Sequence, residues 1–195
     1  MAKALIVIDV QNVYTLPASP LFCEDNGRAI DNINTLITTA QKAGDKIIYV
    51  RHVHQADGSD AGRMFDFTGT VEEIGFVAGS LEAEYDPRLL QVTGAAEILK
   101  QRYSCFIGTG LHEMLQAGGV DTIIVTGFMT NFCCETTARH GHDLDYYVDF
   151  PMDATGCPHL SESATQDRIK EIVGASLAAG YARVGTTADL LGMQG

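Results

Sequence analysis

Three side chains that could cooperate in covalent catalysis stand beside separate apolar segments of the sequence. Asp9 directly follows one such segment, Lys100 ends another, and Cys133 comes shortly after the strongest one, residues 122–126. A thiolate is a strong nucleophile, an ammonium stabilises it, and a carboxylate can take the thiol proton and deliver it to a leaving amine. Singly, each residue has a structural interpretation, as a cap, a solvated lysine or a buried thiol. Together they predict a nucleophilic active site.

The position of Cys133 predicts how its thiol is activated. Residues 131–143 have a helical pattern, so Cys133 falls in the first turn of a helix, where the helix dipole favours a thiolate. We expect the Lys100 ammonium to lower the thiol pKa further. Asp9, as general acid and base, needs a pKa near working pH, so we expect its carboxylate to be partly desolvated.

A cysteine–histidine pair is the competing interpretation. His140 lies seven residues beyond Cys133 on the same predicted helix. At a rise of about 1.5 Å per residue the two side chains are roughly 10 Å apart, beyond hydrogen-bond reach. His140 is therefore excluded as the base for Cys133.

Apolar runs alternate with helical patterns along the chain. The predicted strands are residues 5–8, 46–50, 96–100, 122–126, 146–148 and 182–184. The predicted helices are residues 27–42, 109–117, 131–143 and 161–179. This alternation predicts a single α/β domain over residues 1–195, a three-layer, doubly wound, six-stranded parallel sheet with helices on both faces. In such sheets ligands bind at the carboxyl ends of the strands, which is where all three candidate residues fall.

Residues 55–87 do not fit the alternation. They are rich in Gly, Asp and Phe and have no clean periodicity. Long irregular segments in compact domains are usually functional loops or lids, so we expect this segment to form walls of the site.

Composition limits the partners of the chain. Apolar residues make up 46% and charged residues 19%, and the net charge of −12 disfavours nucleic acid and anionic membranes. No apolar run is long enough to span a bilayer, and residues 5–8 are too short for a signal-peptide core. The five cysteines are odd in number and form no CxxC pair, as in a reducing compartment. We therefore expect a cytoplasmic protein whose partners are neither nucleic acid nor membranes.

The segment around Cys133 carries a family resemblance. Residues 127–139, GFMTNFCCETTAR, resemble the nucleophile motif of the isochorismatase-like cysteine hydrolases, which include nicotinamidases, N-carbamoylsarcosine amidase and ureidoacrylate hydrolase. The alignment selects Cys133 and leaves Cys134 in a position usually held by valine.

Three further segments resemble the same family in the right order. Residues 7–11, VIDVQ, match its first strand end, and residues 100–106, KQRYSCF, match its lysine motif. Residues 182–191 resemble its C-terminus. The resemblance therefore covers nearly the whole chain.

This resemblance implies an Asp9–Lys100–Cys133 triad that cleaves a C–N bond of a small amide, carbamoyl or ureido compound without a cofactor. It also implies a cis peptide bond between Phe128 and Met129, and an oxyanion hole made by the backbone N–H groups of Met129 and Cys133. The resemblance also implies pocket walls supplied by a neighbouring subunit, so we expect a homodimer or homotetramer.

Two alternatives stay open at this point. One is hydrolysis of isochorismate, a vinyl ether, with Asp9 as general acid. The other is a binding or redox-sensing protein that keeps the fold, for which the neighbouring Cys133 and Cys134 leave room.

His52 and His54 raise the question of a metal site. Alternation along a strand puts both on one face, a spacing that can bind a metal ion. The corresponding run in nicotinamidases is Asp-x-His with another histidine downstream, and it holds zinc or a similar ion. Here His52 takes the aspartate position and Gly58 takes that of the downstream histidine. Two ligands make a poor site, so the sequence predicts no metal.

The remaining predicted role is substrate binding. His52 and His54 are expected to line the pocket, together with Gln11 and Phe128. Arg63 could bind a substrate carboxylate in a bidentate way, or be a solvated loop arginine or a subunit contact.

Overall fold

The computed structural model describes residues 2–70 and 73–192. The strands are β1 (Ala2–Ile8), β2 (Lys46–His52), β3 (Ala96–Lys100), β4 (Val120–Phe128), β5 (Tyr147–Pro151), β6 (Thr155–Gly156) and β7 (Arg183–Gly185). The helices are α1 (Asn26–Ala43), α2 (Leu111–Ala117), α3 (Glu135–Asp143), α4 (Gln166–Ala178) and α5 (Thr187–Leu191).

Every strand pair is parallel, in the order β3-β2-β1-β4-β5-β7, with β6 pairing to β4. The chain moves outward from β1 to β2 in one direction and from β4 to β7 in the other, so the order switches between β1 and β4. The predicted doubly wound α/β fold is confirmed. The predicted count of six strands is wrong by one, because β6 has only two residues and no apolar run to reveal it.

Helices cover both faces of the sheet. Helix α3 contacts α4, and α1 and α5 both contact the turn at Met152–Ala154. Right-handed crossovers place α1 and α5 on one face and α2, α3 and α4 on the other. The central strand β1 is buried from Ala4 onward, which explains why its sequence is a continuous apolar run. No helix of the described residues is both long enough and apolar enough to cross a membrane.

Two predicted helix starts differ from the structure by four residues or more. Helix α4 begins at Gln166 and not at residue 161, because Thr165 is extended and its side chain accepts the N–H of Arg168 as the N-cap. The helix predicted from residue 131 opens with a π-helical turn, Thr130–Cys134, before α3 begins at Glu135.

The irregular segment lies over the carboxyl edge of the sheet, as expected. Its described residues form turns and two single-residue bridges, one between Tyr85 and Gln11 and one between His54 and Val77. Both bridges tie the segment to residues that follow β1 and β2. The segment therefore packs against the edge where the three candidate catalytic residues lie.

Candidate active site

Asp9, Lys100 and Cys133 meet at the carboxyl edge of the sheet, next to the switch in strand order. Asp9 follows β1, Lys100 ends β3, and Cys133 lies in the π-helical turn after β4. The Nζ of Lys100 is 2.8 Å from Oδ2 of Asp9 and 3.2 Å from Sγ of Cys133. All three side chains are buried. The structure thus brings the predicted triad together around the lysine ammonium.

A glycine allows the close approach of the two central strands at this point. Gly127 has φ +113°, and a Cβ there would overlap the carbonyl oxygen of Ile8. The end of β4 therefore packs directly against the end of β1, which brings the turn carrying Cys133 beside Asp9. The peptide bond between Phe128 and Met129, at the start of this turn, is cis. The oxyanion hole assigned to Met129 and Cys133 stays a prediction.

Burial and neighbouring charges together set the protonation of Asp9 and Lys100. Burial raises the pKa of Asp9, and the charge of Lys100 only partly offsets this effect. For Lys100, burial opposes the ammonium, but the charges of Asp9 and Cys133 outweigh it and raise the pKa. The predicted desolvation of Asp9 is therefore confirmed, and Lys100 is charged.

The predicted lowering of the Cys133 pKa is wrong for this state of the site. Burial raises the thiol pKa, Lys100 lowers it, and the nearby Asp9 raises it again. Desolvation outweighs the ammonium because the Cys133 side chain is buried, and burial disfavours the charged form of a thiol. The resting state is therefore a neutral thiol beside an Asp9–Lys100 ion pair.

His52 and His54 are buried and extend the site from Lys100 toward the irregular segment. Nδ1 of His52 is 3.4 Å from Nζ of Lys100, and Nε2 of His52 is 2.9 Å from Nε2 of His54. Nδ1 of His54 is 3.0 Å from Oδ1 of Asp60. The two histidines thus face each other and a carboxylate that the sequence did not single out.

These groups do not fit a three-ligand metal site. His54 uses its two ring nitrogens on opposite sides, one toward His52 and one toward Asp60. One ion cannot bind both nitrogens of one imidazole, so the three side chains do not converge on a single point as arranged here.

A second donor set lies within the triad. Ligand atoms of Asp9, His52 and Cys133 lie within 4.8 Å of one another. All three already contact Nζ of Lys100, so the ammonium takes the position that a bound cation would need. Neither donor set therefore has the arrangement of a metal site, and no reaction step is assigned to a metal ion.

The side-chain amide of Gln11 is hydrogen-bonded to backbone groups. Its Nε2 donates to the carbonyl oxygens of His52, at 2.9 Å, and Ala83, at 2.7 Å, and its Oε1 accepts the N–H of His52 at 2.9 Å. Both amide hydrogens are used, so Gln11 has no donor left for a ligand. The structure assigns it as a clamp between the end of β2 and the irregular segment.

Aromatic rings form the walls around the triad. The ring of Phe128 stacks on Tyr14 with centroids 5.4 Å apart, and the ring of Phe76 stacks on His52 at 4.5 Å. The ring of Phe65 packs edge-on against His54 at 5.2 Å. The substrate contacts assigned to Phe128, His52 and His54 stay predictions.

Arg63 lies apart from this cluster. Its side chain is 81% exposed and forms an ion pair with Asp66. The structure therefore shows the solvated loop arginine that was the alternative interpretation, and it does not bring Arg63 to the triad.

Two polar residues of the site were missed. Asp60 contacts His54, and Arg102 donates from Nη1 to the carbonyl oxygen of Asp60 at 3.0 Å. Asp60 lies in the loop segment that includes Arg63, and Arg102 lies two residues after Lys100. Both lie close in sequence to residues named above, but no spacing rule connects a loop aspartate to a histidine just beyond the end of a strand.

A cavity of about 520 Å³ lies away from this chemistry, at the opposite edge of the sheet. Its lining includes Lys3, Thr122, Tyr147 and Arg183, which stand at or near the amino ends of their strands. Doubly wound sheets bind ligands at the carboxyl ends of their strands. The triad is therefore the stronger candidate for the active site.

Comparison with known proteins identifies the family. The isochorismatase domain family matches residues 3–189. Nicotinamidase 3 of Arabidopsis thaliana is 36% identical over 155 residues, which cover 78% of this chain and 72% of that protein. The ureidoacrylate amidohydrolase RutB of Cronobacter sakazakii is 30% identical over 183 residues, which cover 83% and 79%. The crystal structure of a cysteine hydrolase from Pseudomonas syringae pv. phaseolicola has a TM-score of 0.88 at 32% identity and covers 98% of this chain and 91% of that one. The chain belongs to the isochorismatase family.

Proposed function

We propose that this protein hydrolyses the C–N bond of a small amide, carbamoyl or ureido substrate through a covalent acyl-enzyme on Cys133. The observation that carries the proposal is the position of the Lys100 ammonium between the Asp9 carboxylate and the Cys133 thiol, at 2.8 Å and 3.2 Å. The relatives named nicotinamidase and ureidoacrylate amidohydrolase support the bond type.

The first step is a proton transfer within the triad. Asp9 takes the thiol proton, so the negative charge moves from one neighbour of Lys100 to the other while the net charge of the site stays constant. This transfer needs no solvent contact, which suits a buried site where a free thiolate is disfavoured. The raised pKa of Asp9 makes its carboxylate a better proton acceptor.

Attack on the substrate follows. The thiolate sulfur of Cys133 adds to the carbonyl carbon, and the carbonyl oxygen becomes an oxyanion held by the backbone N–H groups of Met129 and Cys133. Asp9 then gives its proton to the nitrogen as the C–N bond breaks. Ammonia or an amine leaves, and a thioester on Cys133 remains.

Water completes the cycle. Asp9, again a carboxylate, removes a proton from a water molecule that adds to the thioester carbon. The C–S bond breaks, the acid product leaves, and the sulfur recovers the proton from Asp9. Lys100 keeps its charge throughout, because the attraction of its neighbours Asp9 and Cys133, of which one carries the negative charge, outweighs the effect of burial on its pKa.

An activity screen tests this proposal. The purified protein is incubated with nicotinamide, carbamoyl amino acids, biuret, ureido acids and isochorismate, with ammonia as one readout and pyruvate as the other. Ammonia from at least one amide, lost in Cys133→Ala, is the expected result. Pyruvate from isochorismate that persists in Cys133→Ala would instead favour the vinyl ether reaction with Asp9 as general acid.

A neighbouring cysteine supplies the matched control. Cys134 is fully buried, and Cys134→Val is close to it in volume, so this variant is expected to keep ammonia release. Intact-mass measurement during turnover is expected to show an acyl adduct that maps to Cys133. An adduct on Cys134, or full amidase activity in Cys133→Ala, would contradict the mechanism.

A further inference from the structure

The hydrogen-bond chain beyond the triad has one consistent direction. An ammonium can only donate, so Nδ1 of His52 accepts from Lys100 and the ring proton of His52 is on Nε2. That proton points to Nε2 of His54, so the ring proton of His54 is on Nδ1 and faces the Asp60 carboxylate. One proton arrangement therefore satisfies all four groups with both rings neutral.

From this geometry we propose that His52 and His54 are positioning residues, and that their fixed tautomers hold the Lys100 ammonium against Asp9 and Cys133. The proposal rests on the amidase function above and adds a task for two histidines whose ring nitrogens bond to Lys100, to each other and to Asp60 rather than to Asp9 or Cys133. Asp60 is the outer end of the chain, with 27% of its side chain exposed.

The charges around His52 favour the neutral ring that this arrangement needs. Burial lowers the pKa of His52 well below its usual value, and Lys100, His54 and Arg102 lower it further. Asp9 and Cys133 also face His52, with ligand atoms within 4.8 Å of a His52 ring nitrogen. Both contact the Lys100 ammonium, which is the cation that pairs with their negative charge. A neutral His52 is a hydrogen-bond acceptor for the ammonium, whereas a charged one would repel it.

Packing holds the two rings in place. The ring of His52 lies parallel to that of Phe76, at an interplanar angle of 11°, and the ring of His54 meets Phe65 at 76°. A histidine side chain has few rotamers, and these contacts oppose ring rotation about the last torsion. The nitrogen lone pair toward Lys100 is therefore fixed by neighbours that carry no charge.

The outer end is anchored a second time. The Asp60 carboxylate accepts the N–H of Gln55 at 3.1 Å and 3.2 Å, and the Asp60 carbonyl accepts from Arg102. The carbonyl of Arg102 in turn accepts from Nζ of Lys100 at 3.1 Å. The chain thus closes into a ring through Asp60 and Arg102, so both routes from the irregular segment lead to the ammonium.

Alkylation of Cys133 tests the proposal without any substrate. Iodoacetamide reacts with the thiolate form, so its rate follows the stability of the thiolate–ammonium pair. The rate is measured from pH 6 to pH 10 in the full-length protein. Peptide mass mapping identifies the modified residue, because all five cysteines are free thiols. His52→Phe keeps the stacked ring and removes the acceptor, so we expect about a five-fold slower reaction at pH 7 and a profile shifted to higher pH.

Two further variants separate positioning from packing. His52→Asn keeps an acceptor near the place of Nδ1 and is expected to recover part of the rate that His52→Phe loses. His54→Phe leaves the Nε2 proton of His52 without its acceptor, which permits the wrong tautomer, and should slow the reaction as His52→Phe does. Asp60→Asn keeps an acceptor oxygen for His54 and is expected to react faster than Asp60→Ala.

The control variant removes a histidine that forms a hydrogen bond elsewhere in the fold. His112 accepts from or donates to the hydroxyl of Tyr146 at 2.9 Å, and His112→Phe is expected to keep the wild-type alkylation profile. An unchanged or faster rate in His52→Phe, or the same slowing in His112→Phe, overturns the proposal. A stoichiometric metal ion in the purified protein that is lost in His54→Phe also overturns it. If no amide is hydrolysed while the profile shifts as expected, the proposed function fails and the positioning role stands.

Discussion

Gly127 packs so closely against Ile8 that a Cβ at Gly127 would overlap the Ile8 carbonyl oxygen. The contact joins the ends of β4 and β1, the two strands between which the order of the sheet switches. Asp9 and the turn carrying Cys133 extend from these two ends. The geometry of the triad therefore depends on a residue that carries no chemistry.

Gly127→Ala tests this dependence. The added methyl group meets the backbone, which cannot move aside as a side chain can, and φ +113° is unfavourable for alanine. We expect the free energy of unfolding to fall by about 3 kcal/mol or more, with amidase activity lost, as measured by denaturant titration and ammonia release. Gly180→Ala is the control, because a Cβ there meets nothing within 4 Å, and it should change stability by less than about 0.5 kcal/mol. Equal effects of the two substitutions would contradict the tight contact.

The pKa of Asp9 predicts where activity is lost in acid. Asp9 must be ionised to take the thiol proton, and burial raises its pKa above the usual value of 3.8. Activity is therefore lost as pH falls through a value above 3.8, whereas Lys100, whose pKa is raised from 10.5, stays charged on the alkaline side. The measurement is kcat/KM from pH 4 to pH 10, with circular dichroism at each pH to confirm that the fold is intact. An acid midpoint at or below 3.8 would contradict the assignment, and Asp9→Asn is expected to lower kcat by about 1,000-fold.

Gln11 is expected to affect stability more than substrate binding. Its amide satisfies buried backbone groups of His52 and Ala83, so Gln11→Ala leaves them without partners. We expect a loss of about 3 kcal/mol in the free energy of unfolding, since an unsatisfied buried group costs about 1–3 kcal/mol. Thermal and denaturant unfolding measure the loss, and the exposed Gln41→Ala is the control, with an expected change near zero. A large rise in KM with unchanged stability would contradict this and support the predicted contact between Gln11 and the substrate.

The Asp86–Arg88 pair predicts an acid-sensitive anchor of the irregular segment. Burial opposes ionisation of Asp86, but hydrogen bonds from Arg88 and Thr15 outweigh it and lower the pKa to about 2. Because the folded pKa lies below the usual 3.8, the pair stabilises the protein above about pH 4 and loses that contribution as pH falls toward 2. Arg88 is half exposed, so we expect only about 1–2 kcal/mol, measured as the stability difference between wild type and Asp86→Asn. A difference that stays constant from pH 6 to pH 3 would contradict the linkage.

The homodimer or homotetramer implied by the family resemblance stays a prediction. Size-exclusion chromatography with light scattering on the full-length protein is the direct measurement. A monomer at the concentration of the activity screen would contradict it.

The sequence by itself predicted the fold class, which is confirmed, and the three residues of the proposed triad, which the structure brings together. Both faces of a parallel sheet are covered, so its strands are continuous apolar runs such as that in β1. Such runs can be recognised in the sequence without the structure. The motif around Cys133 selected it over Cys134. Asp9 and Lys100 were predicted from their positions at the ends of strands. The short strand β6 was not predicted, because a strand of two residues has no recognisable sequence pattern.

Only the tertiary structure decided how these side chains are charged and what surrounds them. Spacing suggested a lowered thiol pKa for Cys133, but burial, which depends on every element packed around the thiol, raises it. The contact between His54 and Asp60 joins a strand end to a loop turn, and Arg63 turns away toward Asp66. Desolvation and loop contacts are properties of the assembled fold, so no local pattern in the sequence contains them.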